Sequence, residues 1–159
     1  NTKAAAVKIE GGADKADIIK HLTSNSIAVM GHIGLMPQYV RSEGGYKVRG
    51  KTHQDENQLI EDAIAVEKAG ASAIVVEGVM SNVAKKITEA VNIPIIGIGA
   101  GNVTDGQVLV WSDMLGFFEE FKPKFVRHYL DGASLVKDAV NQYRNDVQDS
   151  SFPSIEEEY

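Results

Sequence analysis

Three apolar runs in this chain each end in a residue that can take or give a proton. Ala5-Ala6-Val7-Lys8-Ile9-Glu10 ends in Glu10, Ile27-Ala28-Val29-Met30-Gly31-His32 in His32, and Ala73-Ile74-Val75-Val76-Glu77 in Glu77. Short β-branched runs between helical stretches read as parallel strands of βα units. The C-terminal end of such a strand is where α/β barrels place their catalytic groups. Two carboxylates, a histidine and Lys8 form a set that points to proton-transfer chemistry.

Lys8 and Glu10 stand two apart and share one strand face. In a barrel that face is the interior, and Val7 and Ile9 face the outer helices. An inward Lys and Glu near the mouth bind an anionic substrate and hold a metal or its waters. An internal ion pair that fills the barrel is the equal alternative. His32 lies in Gly31-His32-Ile33-Gly34-Leu35, at a strand end beside a long loop. That position favours a functional role, although a lone histidine is more often structural. Glu77 ends the most apolar run, beside Val75, Val76 and Val79. Such a setting suits a general base. The alternative is a carboxylate that caps the next helix, for which Ser81 is the better candidate.

Other patterns carry less. Gly97-Ile98-Gly99-Ala100-Gly101 fails the dinucleotide test, because the third glycine would fall on Asn102 or Thr104. Its glycines permit tight packing at a strand end. Lys47, Arg49 and Lys51 alternate after Tyr46. A solvated basic loop is the expected reading, with a clamp for an anionic substrate or cofactor tail as the alternative. Glu156-Glu157-Glu158 reads as solvated charge.

The elements that must position these residues follow from periodicity and caps. Strands start near residues 5, 27, 73 and 94. A helix over Ala13 to Ser24 ends at Asn25, and a second over Gln54–Ala69 is stopped by Gly70. A third, Ser81 to Val91, starts at a Ser81 N-cap. The long polar loop Ile33 to Thr52 separates the second strand from the second helix. Beyond the Pro94 to Ala100 strand come a short helix around Trp111–Leu115, a short strand over Lys124–Tyr129 and a helix over Gly132–Gln148.

The β–α alternation implies α/β architecture with right-handed crossovers. A complete (β/α)8 TIM barrel needs roughly 250 residues. This chain supplies four or five βα units and is read as the C-terminal portion of such a barrel. Residues 1–150 belong to that single domain and 151–159 form a polar tail. A doubly wound sheet is the competing fold.

Composition sets limits. The chain has 159 residues, 43% of them hydrophobic and 24% charged, which suits one globular domain. The net charge of −6 argues against a broad nucleic-acid surface. There is no cysteine, so thiol nucleophiles and Cys-based zinc sites are excluded. No apolar run approaches the ~20 residues of a membrane span, and no signal peptide is visible. A cytoplasmic location is expected. The chain begins with Asn1 and enters a strand within a few residues. The expectation is that an N-terminal part of a longer protein precedes it.

At these residues the chain resembles the ketopantoate hydroxymethyltransferase family. The matching segments include Val7-Lys8-Ile9-Glu10-Gly11-Gly12, Gly31-His32-Ile33-Gly34-Leu35-Met36-Pro37-Gln38 and Gly44-Gly45-Tyr46-Lys47-Val48-Arg49-Gly50-Lys51-Thr52. Val76-Glu77, Ile96 to Gly101, Asp105 to Val110, Asp113 to Gly116, Pro123-Lys124-Phe125 and Phe152-Pro153 follow in order. The resemblance implies a (β/α)8 barrel that assembles as a homodecamer. It implies transfer of a one-carbon unit from 5,10-methylenetetrahydrofolate to the 2-oxoacid 3-methyl-2-oxobutanoate, giving 2-dehydropantoate for pantothenate synthesis. Mg2+ is the implied metal, chelated by the oxoacid. By the same resemblance Glu77 is the base, Lys8 a cationic contact to the oxoacid, and Glu10 a metal-site carboxylate acting through water. His32 is a substrate-side or supporting residue. No folate-contacting residue is assigned.

In the family, two aspartates that bind Mg2+ directly, and a serine near them, come from strands before the segment matching Lys8. No residue here stands for them. An enzyme portion completed by its missing N-terminal half is therefore the first reading. Another metal-dependent 2-oxoacid enolate barrel without folate is the second. A non-catalytic assembly subunit is the third.

Overall fold

The runs that carry Glu10, His32 and Glu77 all form strands, because Val and Ile fit a pleated surface. They are β1 (Ala6–Glu10), β2 (Ala28–Gly34) and β3 (Ala73–Glu77). Ile95–Ile98 is β4 and Gly106–Gln107 is β5. The computed structural model describes residues 3–39, 44–118 and 121–159. Positions 40–43 of the long loop lie outside the described residues. The chain divides into two compact units, Asn1–Val108 and Leu109–Tyr159.

In the first unit the strands form one sheet in the order β1-β2-β3-β4-β5, with every pair parallel. Each strand lies beside the next one in the chain. A doubly wound sheet reverses its order at a switch point, and these five strands show no reversal. Between them run α1 (Ala16–Ser24, after a 3-10 turn at Ala13–Lys15), α2 (His53–Lys68) and α3 (Ser81–Ala90).

Register separates the two faces of the sheet. Lys8, Glu10, Met30, His32, Val75 and Glu77 share one face. Ile9, Val29, Ile33, Ile74 and Val76 share the other, which is the core side. There Ile19 of α1, Leu59, Ala63 and Val66 of α2, and Val83 and Ile87 of α3 cluster with the strand residues and are fully buried. Each buried Ile, Leu or Val contributes about 1.5–3 kcal/mol. Gly31 also faces the helices, and a Cβ there would lie 2.5 Å from Val66 Cγ1. The missing side chain is what lets α2 sit close to β2.

The caps differ from expectation in physically simple ways. α1 does not turn on Asn25, whose φ is −99°. Ser26 takes the left-handed conformation at φ 63°, and the Asn25 amide donates to the His21 carbonyl. α2 starts one residue early, at His53, because the Thr52 hydroxyl accepts from the Asp55 N–H. α3 has Met80 at its N-cap with no side-chain bond, so neither Ser81 nor Glu77 caps it.

The second unit contains α4 (Trp111–Met114) and α5 (Gly132–Gln148). No strand forms over Lys124–Tyr129. Tyr129 N–H instead donates singly to the Met114 carbonyl, and Val126 N–H closes a turn onto Pro123. The strand missed from sequence is β5, whose two residues are too short to show a period. On α5, Val136, Val140, Tyr143 and Val147 form a helical stripe that is 45% to 60% exposed. The Phe152 ring meets Tyr143 edge-on with centroids 5.4 Å apart. The tail holds a 3-10 turn, Ile155–Glu157, with a Ser154–Glu157 capping box.

Candidate active site

Register brings the strand-end residues together. Glu10 pairs with His32 across β1 and β2, and Gly34 pairs with Glu77 across β2 and β3. All four residues singled out from sequence meet on one face, Glu10, His32 and Glu77 toward the C-terminal ends of their strands and Lys8 at the middle of β1. His32 is the centre and is 1% exposed. Its Nδ1 lies 3.2 Å from Lys8 Nζ and 3.8 Å from Glu10 Oε1. Its Nε2 lies 3.1 Å from the Leu35 carbonyl oxygen and 3.3 Å from Glu77 Oε2. Lys8 Nζ is also 3.8 Å from Glu10 Oε1.

Burial grades across the cluster. The Lys8 side chain is half exposed, whereas those of Glu10 and Glu77 are largely buried. Glu10 Oε2 is buried with no hydrogen-bond partner among the described residues. A carboxylate oxygen withdrawn from water without a donor is costly. The position fits a cation or a water bound to one. Among the described residues no three His, Asp or Glu side chains converge as a closed metal cage. Glu10 thus offers one oxygen to a metal site and not a full ligand set.

The turn after β2 is tightly constrained. Gly34 has φ +95°, and a Cβ there would lie 2.3 Å from the Glu77 carbonyl oxygen. Only glycine fits both demands. The next residue, Leu35, donates its N–H to that same carbonyl at 2.8 Å.

The basic loop behaves differently from an open anion clamp. Arg49 N–H donates to the Gly78 carbonyl at 2.8 Å, and Met80 N–H donates to the Arg49 carbonyl at 3.0 Å. The segment therefore forms a short parallel bridge beside Val79, two residues past Glu77. The Arg49 guanidinium pairs with Asp55 Oδ1 at 2.7 Å and reaches the Gly34 carbonyl at 3.5 Å. Lys47 and Lys51 stay on the surface. Burial alone would raise the Asp55 carboxyl. The hydrogen bonds from Arg49 and the Gly50 N–H, with the Arg49 charge, outweigh it and hold Asp55 below the usual carboxylate range. Sequence reasoning missed this strap. The available signal was an Arg and an Asp on either side of a threonine N-cap. The glycine-rich turn after β4 is closed by Gln107, whose amide donates to the Gly101 carbonyl and the Thr104 hydroxyl.

Residues 1–155 match the family model described as ketopantoate hydroxymethyltransferase. The chain belongs to the ketopantoate hydroxymethyltransferase family. It is 87% identical over 158 residues to a protein of Aliarcobacter butzleri named 3-methyl-2-oxobutanoate hydroxymethyltransferase, covering 99% of this chain and 59% of that protein. Proteins of the same name from a Nitratiruptor species and from Sulfurimonas denitrificans are 61% and 63% identical. Those matches cover 99% and 96% of this chain and 60% and 58% of the relatives. The chain spans about three-fifths of the length of the curated relatives it matches. Lys8, Glu10, His32 and Glu77 all fall inside the span shared with the ketopantoate hydroxymethyltransferase family.

Proposed function

We propose that this chain is the proton-abstracting portion of an enzyme that transfers a hydroxymethyl unit from 5,10-methylenetetrahydrofolate to 3-methyl-2-oxobutanoate. The product is 2-dehydropantoate, a precursor of pantothenate. The observation that carries this reading is the His32-centred cluster, with a lysine and two carboxylates gathered at three adjacent strand ends. Family membership supplies the substrate class.

In this reading Glu77 removes the proton from the carbon next to the keto group. The C–H electron pair moves toward the keto oxygen, and the Lys8 ammonium stabilises the negative charge that develops there. Water adds to the methylene carbon of the folate, and the C–N bonds break to release tetrahydrofolate and a formaldehyde-level carbon. The enolate carbon attacks that carbon, whose oxygen becomes the hydroxyl of the product. Mg2+, when bound, polarises the keto group and acidifies that C–H. Glu10 Oε2 would hold such a metal through one of its waters, and the direct ligands would come from the strands that precede this segment in the family.

Residues 1–150 are read as the C-terminal portion of a single (β/α)8 barrel, with 151–159 as its polar tail. Sequential parallel strand order supports this. A homodecamer in the cytoplasm goes with the family resemblance. No helix among the described residues is long and apolar enough to cross a membrane.

The test uses the full-length protein. It should exchange the C3 hydrogen of 3-methyl-2-oxobutanoate in deuterated water, and form 2-dehydropantoate once methylenetetrahydrofolate is added. Absence of both exchange and product would overturn the reading. Exchange without product would favour a folate-independent oxoacid barrel.

A further inference from the structure

His32 is buried at the centre of the cluster, yet the mechanism above gives it no proton to move. Its surroundings fix where its own proton sits. The Leu35 carbonyl, 3.1 Å from Nε2, can only accept. The Lys8 ammonium, 3.2 Å from Nδ1, can only donate. Nε2 therefore carries the proton and Nδ1 is the acceptor. Glu77 Oε2 lies 3.3 Å from the same Nε2, the second oxygen beside that nitrogen. Glu10 Oε1, at 3.8 Å from Nδ1, is an acceptor facing an acceptor, and the Lys8 ammonium reaches both.

Leu35 closes the arrangement. Its carbonyl receives the His32 proton, and its N–H donates to the Glu77 backbone carbonyl at 2.8 Å. Glu77 is thus held at its backbone by Leu35, and its Oε2 lies beside His32 Nε2. With 1% exposure, the ring is shielded from competing water.

We infer that His32 is a positioning residue, fixed as the Nε2–H tautomer, which holds Glu77 by Oε2 and leaves Oε1 to take the substrate proton. The identity of Glu77 as the base rests on the proposed function. The tautomer does not, because it follows from Leu35 and Lys8 alone.

Two measurements on the full-length protein test this. In the nitrogen NMR spectrum of histidine-labelled protein, the His32 signals are identified by their loss in H32Q. They should show a protonated Nε2 and an unprotonated Nδ1. Protonation at Nδ1, alone or together with Nε2, would overturn the assignment. Kinetics then separate positioning from mere packing. H32N cannot reach the Nε2 position, and its kcat should fall about 10- to 100-fold, the usual loss when a supporting partner is removed. KM for the oxoacid should change little. H32Q, whose amide nitrogen reaches that position, should recover most of the loss. Equal losses in both variants, or a loss confined to KM, would overturn the positioning role. An Nε2–H spectrum in a wild-type protein without turnover would overturn the function and leave the tautomer standing. Normal turnover with the wrong tautomer would do the reverse.

Discussion

Glu77 and Lys8 are expected to fail in different ways when changed. Glu77→Gln keeps the shape and still offers His32 an oxygen, but an amide cannot take a proton. Oxoacid binding should stay nearly intact, while C–H exchange in deuterated water falls by ~10²-fold or more. Normal exchange by this variant would remove Glu77 from the role of base. Lys8→Met keeps the aliphatic stem and loses the cation. It also strips His32 Nδ1 of its donor, which costs about 1–3 kcal/mol when a buried acceptor is left unpaired. Oxoacid affinity and rate should both drop, as measured by titration and steady-state kinetics. Unchanged values would reduce Lys8 to a filler of the strand face. These residues were legible in the sequence because each sits on or at the end of an apolar run, where strand period and strand end are both readable. Arg49 and Asp55 were not, since their pairing depends on how the chain folds back around Thr52. The role of Leu35 was hidden for a related reason: it acts through its backbone, which no side-chain pattern reports.

Among the elements, the β2–β3 corner is the most constrained. Gly34→Ala would force a side chain into a φ of +95° and against the Glu77 carbonyl, which is backbone and cannot step aside. The conformation alone costs about 1–3 kcal/mol, and the clash adds to it. Chemical denaturation of the full-length variant should show at least that loss, and C–H exchange should fall because Glu77 shifts with its carbonyl. A second element-scale effect follows from the Arg49–Asp55 strap. The Asp55 carboxyl is held low in the folded chain, so its ionised form stabilises the fold. That contribution is present above the ordinary carboxylate range and disappears as pH falls through the lowered folded value. Wild type should therefore exceed Asp55→Asn in stability most at neutral pH, with the gap narrowing in acid. Urea unfolding at pH 7 and at pH 3 measures both gaps, and equal gaps would dismiss the ion pair as a stabiliser. The long strands and helices were readable from apolar period. The expected strand over Lys124–Tyr129 fails because no neighbouring strand hydrogen-bonds to it. β5 exists only because β4 offers it a ladder. Strand identity in both cases is a property of the neighbour, not of the segment.

For the molecule as a whole, the sheet has two edges, β1 and β5. Ala6, Val7 and Lys8 of β1 are exposed, and so is the apolar stripe of α5. Unpaired parallel edges and open apolar surface favour association in water. The isolated 159-residue polypeptide should self-associate, unfold without a sharp transition, bind Mg2+ weakly and show no turnover. Light scattering, urea titration, Mg2+ titration and an assay with methylenetetrahydrofolate check this. A monomeric, cooperatively folded and fully active product would sink the partial-barrel reading.

The strand order also bears on how the chain comes to be folded. Each strand after β1 pairs with the strand made just before it, so no pairing waits for a strand made later than the next one. A polypeptide emerging from the ribosome N-terminus first could lay β2 on β1, β3 on β2 and β4 on β3 in the order of their synthesis. On that schedule Glu10 and His32 meet before Glu77 has been translated, and Glu77 is the last member of the cluster to arrive.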